Sequence, residues 1–380
     1  MSESPGFLFY LIGFALVIGP LVFLHELGHY AAGRWFGVKA EAFSIGFGKE
    51  IAGFTDRRGT RWKFGWVPLG GYVKFAGDMN PAGQPSPEWL ALPPEARAET
   101  FQAKPVWQRA IIVAAGPVTN FVIAVLILGA LATFVGVERT PPVVGAVVEG
   151  SPAAQAGLQV GDRMTALNGR AVSSFGDVAA YVQLRPGERI SLSIDRGGQA
   201  LTLPLTTGVQ RMRDRFGNEH RIGQLGVISA GLVYEPVSLI EAPLTGVVLA
   251  AKQLRGMVDG IGQIITGKRP IDELGGPLRI AKISGEQLSL GWRDVVILIA
   301  IISINLGFIN LLPVPMLDGG HLMFYAAEAV RGRPVNPAVM DWSFRAGLVS
   351  LLTLVLVVTF NDLGAFGVWR GLAGLIGTAG

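Results

Sequence analysis

The chain of 380 residues contains no cysteine, which excludes disulfide frameworks, thiolate-ligated zinc, iron–sulfur clusters and thiol nucleophiles. Charged residues are also scarce, at 16% against roughly 25% in an average soluble domain. A disordered chain would be rich in charge, whereas half of these residues are hydrophobic. The formal net charge of +4 is small and dispersed, so nucleic acid is not expected as a partner. The composition predicts a protein whose main surroundings are the lipid bilayer.

Four stretches without formal charge are candidates for helices that cross a bilayer. Residues 7–24 form the first, and the others lie between Arg109 and Glu138, between Asp294 and Asp318, and between Arg345 and Asp362. The first has no Lys or Arg before it and runs on into His25 without a small-residue cleavage site. We therefore expect it to be retained, not removed as a signal peptide.

The distribution of Lys and Arg predicts how the spans are oriented. Residues 34–109 carry eleven of these basic side chains, whereas the N-terminal tail carries none. By the positive-inside rule, that segment is cytoplasmic and the N-terminus lies outside. The long region between the second and third spans then also lies outside, which in a bacterial inner membrane is the periplasm.

An HExxH sequence, His25-Glu26-Leu27-Gly28-His29, lies at the inner end of the first span. Two histidines four residues apart share one helical face and can reach one zinc ion, while Glu26 can accept a proton from activated water. Ionisable groups at membrane depth are costly and are usually functional. The alternative is that these side chains only cap the span at the water interface.

A zinc site of this kind needs a third protein ligand. The candidates are Asp318 and His321, which follow the third span and the helix-breaking residues Pro313 and Pro315. Irregular backbone at membrane depth is tolerated only inside protein or beside a watery cavity. Spacing alone does not decide which of the two residues is the ligand. The alternative to a metal ligand is that the helix simply ends here, with Asp318 exposed to solvent.

Five motifs occur in a fixed order along most of the chain. They are HELGH at 25–29, PLGGYVKF at 68–75, AAGPVTNF at 114–121, LGGPLRIAK at 274–282 and NLGFINLLPVPMLDGGH at 305–321. With these motifs the chain resembles the site-2 protease family of intramembrane zinc metalloproteases, and specifically the bacterial regulator-of-sigma-E protease type.

The resemblance implies a set of site residues. In the family pattern His25, His29 and Asp318 hold Zn²⁺, Glu26 is the general base, and the rival histidine at 321 stays outside the ligand set. Asn310 matches a family asparagine near the active site, where its amide could steady the scissile peptide. The small residues of AAGPVTNF are expected to allow close helix packing.

Two β-prone runs, 61–67 and 72–75, flank Pro68-Leu69-Gly70-Gly71, a pattern that predicts a hairpin. An edge of that hairpin could pair with an unwound substrate segment. The resemblance implies a membrane-reentrant β-hairpin in which Gly70, Gly71 and Tyr72 handle substrate.

Residues 143–206 have glycine-rich turns and alternating strands, and they resemble a PDZ domain of the bacterial protease-associated kind. A peptide-sensing role, a size-exclusion role and a purely structural role all remain open. There is room for one such domain where the enterobacterial enzyme has two. Residues 250–265 form either an amphipathic helix on the membrane surface or a packed connector.

The charge-free stretches predict a multi-pass α-helical membrane protein with about four transmembrane helices, and the resemblances add a membrane-reentrant β-hairpin and an inserted α/β PDZ domain. Residues 1–137 would contain helices 1 and 2 with HExxH and the hairpin, and residues 138–207 the periplasmic PDZ domain. Residues 208–293 would form a periplasmic connector, and residues 294–380 helices 3 and 4 with the LDG motif.

The resemblance implies hydrolysis of peptide bonds in single-span membrane proteins, such as anti-sigma factors after site-1 cleavage, or in remnant signal peptides. One alternative is a membrane-anchored metalloprotease that cuts juxtamembrane segments. Another is a catalytically silent membrane PDZ scaffold, against which the intact Glu26 argues.

Overall fold

The computed structural model describes residues 6–77, 89, 91–138, 140–213, 219–231, 234–267 and 275–365. The chain divides into two compact units. Of the described residues, the helical unit contains those up to 127 and those from 267 onwards, and the β-rich unit contains those from 128 to 266.

The helices and strands follow in chain order. The first are α1 (Phe7–Trp35), β1 (Ala40–Thr55), β2 (Arg61–Phe75), α2 (Pro94–Ala98) and α3 (Val106–Phe134). The next are β3 (Val137–Glu138), β4 (Val144–Val147), α4 (Pro152–Gln155), β5 (Arg163–Leu167), β6 (Arg170–Ala171) and α5 (Phe175–Gln183). Then come β7 (Arg189–Arg196), β8 (Gln199–Thr206), β9 (Gly208–Arg213), β10 (Glu219–Gln224), β11 (Val227–Ser229), β12 (Tyr234–Glu235) and α6 (Ala242–Ile265). The last are α7 (Pro277–Leu290), α8 (Trp292–Leu311), α9 (Asp318–Arg331) and α10 (Pro337–Ala365).

Four of the described helices are long and apolar enough to cross a membrane, namely α1, α3, α8 and α10. This confirms the four predicted stretches as helices of spanning length and composition. Their large apolar side chains stay exposed in places, for example Leu8 and Leu16 on α1, Leu126 on α3 and Leu356 on α10. Such surfaces are unfavourable in water and are suited to lipid.

Helix α7 packs against α1 through small residues. A Cβ atom on Gly13 would lie 2.6 Å from the carbonyl carbon of Ser284, and one on Gly285 would lie 2.5 Å from a ring carbon of Tyr10. The buried carboxylate of Asp362, near the end of α10, accepts hydrogen bonds from the amides of Gly276, just before α7, and of Arg279 in its first turn. A carboxylate at this position accepts hydrogen bonds from amides that have no partner within the helix. Its negative charge also interacts favourably with the positive end of the dipole of α7.

Strands β1 and β2 form a hairpin, but the two runs that the sequence predicted to pair with each other both pair with β1 instead. Residues 61–75 form one strand, and the turn lies at 56–60. The register pairs Ala42 with both Arg61 and Lys74, so the two ends of β2 lie on opposite sides of β1. The partners on β1 rise from Ala42 to Phe47 along residues 61–67 and fall from Ile45 to Ala40 along residues 71–75, so the chain reverses at 68–70, within the predicted turn. The predicted pairing of the two runs with each other is wrong, because β1 lies between them; Gly70, at the reversal, has a φ of +105°. Residues 71–75 form the outer edge of the hairpin.

The β-rich unit is built on a four-stranded sheet in the order β6-β5-β7-β8. Strands β7 and β8 confirm the alternating runs seen in the sequence. The core of the β-rich unit contains Met164, Leu167, Leu192 and Ile194 together with Leu225, which precedes β11. Strand β11 pairs with β4, so a late segment of the chain completes the unit. The boundary at 207 stays a prediction.

Helix α6 is joined to the rest of the β-rich unit by ion pairs. Lys252 Nζ lies 2.9 Å from Asp177, and Arg170 lies 2.7 Å from Asp259. Burial raises the pKa of Asp177, but hydrogen bonds from Lys252 and Ser173 lower that pKa more, to well below its usual range. The pairs therefore hold the helix to the unit across the neutral pH range.

The structure predicts how one buried carboxylate stabilises the β-rich unit. Asp162 is 1% exposed and accepts two hydrogen bonds of 2.7 Å from Arg196 and one of 2.8 Å from the Gln159 amide. An Asp162→Asn substitution breaks the paired charge, so amide hydrogen exchange in this unit should become roughly tenfold faster at pH 7.

This prediction includes a pH dependence. The hydrogen bonds from Arg196 hold the pKa of Asp162 below its usual range. The stabilisation is then complete above the unfolded pKa of about 3.9 and is lost as the pH falls towards the folded value. The difference between wild type and variant should therefore shrink below about pH 4. Equal exchange rates at pH 7 would contradict the assignment.

Candidate metal centre and active site

Three side chains from two distant parts of the helical unit converge. The helical repeat of α1 places His25 and His29 on one face, with their Nε2 atoms 3.3 Å apart. Asp318, the first residue of α9, brings its Oδ2 to 3.3 Å from the Nε2 of His25 and 3.5 Å from the Nε2 of His29. Among the described residues, these three form a group able to hold one metal ion.

The spacing of the three atoms fits a tetrahedral zinc ion. Ligand atoms at zinc–nitrogen and zinc–oxygen bond lengths are about 3.3–3.5 Å apart in a tetrahedron, and the distances found here are 3.3, 3.3 and 3.5 Å. Asp318 Oδ2 is buried and has no hydrogen-bond partner in the described part of the chain. A buried carboxylate oxygen is costly without a proton or cation beside it, so the residues present suit a zinc ion.

The alternative ligand, His321, lies elsewhere in the site. It borders the same cavity, but its ring packs against Phe344, with ring centroids 4.8 Å apart. It does not belong to the group of converging ligand atoms. The sequence left Asp318 and His321 open by spacing alone, and the structure brings Asp318 to the two histidines.

The loop between α8 and α9 places Asp318. Helix α8 ends at Leu311 and α9 begins at Asp318, so the backbone opens at the prolines as expected. Met316 takes a φ of +84°, which is rare for a residue with a side chain. A Cβ on Gly319 would lie 2.2 Å from the Leu312 carbonyl oxygen, and one on Gly320 would lie 2.4 Å from that of Val314. Only glycine allows α9 to begin so close to this loop.

Close contact between α1 and α3 also depends on glycine. A Cβ on Gly28 would lie 2.6 Å from the carbonyl oxygen of Ala115, and one on Gly116 would lie 2.2 Å from His29 Nε2. The small residues of this part of α3 therefore pack closely, as the sequence predicted. On the far side of its ring, His29 Nδ1 lies 2.9 Å from the Ile112 carbonyl oxygen of α3.

Glu26 and the outer edge of the hairpin border one cavity of about 370 Å³. The cavity is also lined by the three converging side chains, by Asn310, and by Gly70, Gly71 and Tyr72. A Cβ on Gly71 would lie 3.0 Å from Glu26 Cγ and 2.7 Å from the carbonyl oxygen of Ser44. The structure thus brings every site residue named from the sequence to a single cavity.

One pair of residues near the site was missed in the sequence. Arg109 at the start of α3 lies 2.8 Å from Glu328 on α9, both side chains are largely buried, and the guanidinium lies 4.9 Å from the ring centre of Tyr325. The pair joins the helix that contacts His29 to the helix that carries Asp318. No spacing pattern links positions 219 residues apart, so the sequence held no signal for it.

Comparison with known proteins identifies relatives along nearly the whole chain. The sequence pattern of Peptidase family M50 matches residues 13–354. A protein of Agrobacterium fabrum named as a zinc metalloprotease is 43% identical over 369 residues, which cover 96% of this chain and 98% of the relative. Metalloprotease MmpA of Caulobacter vibrioides is 36% identical over 399 residues, covering 97% of this chain and 99% of that protein.

A solved structure with a local match is the PDZ domain of an SdrC-like protein from Listeria monocytogenes. It covers 24% of this chain and 90% of its own, with 20% sequence identity and a TM-score of 0.19.

Proposed function

The chain belongs to peptidase family M50, the site-2 protease family of zinc metalloproteases, and we propose that it cuts peptide bonds inside membrane spans. The observation that carries the proposal is the meeting of three ligand atoms with Glu26 in a cavity formed largely by apolar helices. Ionisable groups in such surroundings are costly to place and therefore indicate function.

We assign the metal to His25, His29 and Asp318, which each offer one ligand atom within 4.8 Å of the others. When bound, zinc supplies a Lewis acid that activates water and polarises a carbonyl group. Glu26 takes a proton from the attacking water and returns it to the departing amide nitrogen. Asn310 donates an amide N–H to the carbonyl oxygen of the scissile peptide as negative charge develops there.

The outer edge of the hairpin is suited to hold the substrate backbone. A transmembrane helix must unwind before a peptide bond becomes accessible, and lipid cannot satisfy the freed backbone groups. Gly71 and Tyr72 border the cavity beside Glu26, so a substrate strand added to this edge would recover hydrogen bonds next to the base. Gly70 bends the strand at this point. In this proposal the hairpin re-enters the membrane.

The substrates we propose are single-span membrane proteins of the anti-sigma factor type, already cut on the outer side, and remnant signal peptides. The enzyme would lie in a bacterial inner membrane with its N-terminus and β-rich unit in the periplasm and the hairpin turn in the cytoplasm. The β-rich unit would act as a PDZ domain that senses peptides or excludes substrates with a large outer part.

The test is proteolysis by the purified full chain in liposomes. Two tagged single-span substrates are compared, one with a folded outer domain and one with that domain removed, and the products are mapped by mass spectrometry. We expect cleavage within the apolar span, and faster cleavage of the trimmed substrate. His25→Ala is the inactive control. Cleavage confined to residues outside the span would favour a juxtamembrane protease instead.

A further inference from the structure

Helix α3 contacts the outer ring nitrogens of both HExxH histidines. His29 Nδ1 faces the main-chain oxygen of Ile112 at 2.9 Å. His25 Nδ1 lies 3.0 Å from the side-chain amide of Asn120, which is completely buried. The second contact is notable because it uses a side chain, and a buried polar side chain between apolar helices needs a partner.

The chemistry of the ligand determines what this partner must do. A histidine that binds metal through Nε2 carries its proton on Nδ1, which then must donate a hydrogen bond. The Ile112 carbonyl is such an acceptor. For His25, the acceptor must be the amide oxygen of Asn120.

The surroundings of Asn120 are compatible with this role. In the structure the Nδ2 of Asn120 faces His25. Its Oδ1 is buried and has no hydrogen-bond partner among the described residues. A half-turn of the planar amide exchanges the two atoms without changing its shape. After the rotation the number of hydrogen bonds is the same, but His25 Nδ1 donates and Asn120 Oδ1 accepts. A histidine that binds metal through Nε2 needs this direction.

Asn120 is itself held in place from the other side. Its main-chain oxygen accepts a hydrogen bond of 2.8 Å from the hydroxyl of Ser303, which is fully buried on α8. A line of hydrogen bonds therefore runs from α8, through Asn120, to His25. Helix α8 ends just before the loop that leads to Asp318, the first residue of α9, so the same helix supports both sides of the metal centre.

We propose that Asn120 is a positioning residue whose amide oxygen accepts the Nδ1 proton of His25 and so orients Nε2 towards the metal. This inference rests on the proposed zinc site. Partners of this kind fix the tautomer and ring plane of a ligand, and their loss typically weakens metal binding by roughly 10–100-fold. A residue that only packed between helices would not have this effect on metal affinity.

The test compares Asn120→Ala with Asn120→Asp in the purified full chain. Zinc affinity is measured by competition with a chelator, and the unfolding temperature of the metal-free protein is measured alongside it. We expect Asn120→Ala to bind zinc roughly 10–100-fold more weakly. Asn120→Asp keeps an acceptor and should bind within about threefold of wild type or more tightly. Val122→Ala, on the exposed face of the same helix, should bind zinc as wild type does.

Two results would overturn the inference: wild-type affinity in Asn120→Ala, or an equal loss in both Asn120 variants. If the alanine variant does not fold, Asn120→Asp decides alone, because a loss beyond tenfold there contradicts the acceptor role. His25→Ala separates this inference from the zinc assignment. If His25→Ala binds zinc normally, the proposed metal site is wrong. If His25→Ala loses zinc and Asn120→Ala binds it as wild type does, the metal site stands and the role of Asn120 is refuted.

Discussion

Replacing Glu26 by glutamine is expected to abolish peptide hydrolysis while leaving zinc bound. Glutamine has the same shape, so the cavity and its three metal ligands should be unchanged, but its amide cannot accept the proton of the attacking water. General bases contribute roughly 10²–10⁴-fold to a rate, and we expect turnover of a single-span substrate to fall by about that factor. Zinc content is measured on the same preparation.

The control for this substitution is Glu95→Gln, because Glu95 lies in α2 and is not among the residues that line the cavity. It should cleave substrate at the wild-type rate. Wild-type turnover in Glu26→Gln would show that another group accepts the proton. Loss of zinc together with turnover would show instead that Glu26 supports the metal site structurally.

A single methyl group on Gly116 is expected to remove both zinc and activity. The Cβ of Gly116→Ala would lie 2.2 Å from Nε2 and 2.5 Å from Cε1 of His29, distances that real Cβ contacts do not reach. The ring cannot easily retreat, because its Nδ1 is held by the Ile112 carbonyl oxygen. Displacing a ligand in this way should weaken zinc binding by roughly 100-fold, measured by chelator competition.

Gly19→Ala is the matched control because it makes the same change in a membrane helix. A Cβ at Gly19 would meet nothing within 4 Å, and alanine favours helix over glycine by about 1 kcal/mol. Its zinc affinity and turnover should therefore equal those of wild type, with unchanged or slightly greater stability. Normal zinc binding in Gly116→Ala would mean that α1 and α3 are farther apart in the membrane than in the structure.

Part of the candidate site could be predicted because it is local. Residues four apart on a helix share a face whatever the rest of the chain does, so His25 and His29 were expected to point the same way. The charge-free stretches were equally direct, since a helix must be about 20 residues long to span a bilayer. Both features depend only on helical geometry and on the nature of the side chains.

The hairpin shows which part of a local prediction holds and which part does not. Proline and paired glycines within four residues are a turn signal, and the reversal predicted at 68–71 is present in the register of β2 against β1. In the structure the positive φ of Gly70 bends β2 so that its two ends flank β1 on opposite sides. The turn signal did not predict which strand the two arms pair with, because that depends on which other segment of the chain lies alongside them.

By itself the sequence determined the membrane class, the four spans, the HExxH pair and the absence of thiolate ligands, all of which follow from composition and short-range spacing. Spacing left Asp318 and His321 open, the family resemblance implied Asp318, and the tertiary structure brings Asp318 to the two histidines. Only the tertiary structure decided that Asn120 and Gly116 contact the histidine rings, and that Arg109 is paired with Glu328. The physical reason is that these contacts join helices far apart in the chain. They depend on how closely the helices pack, which is set by many small residues acting together.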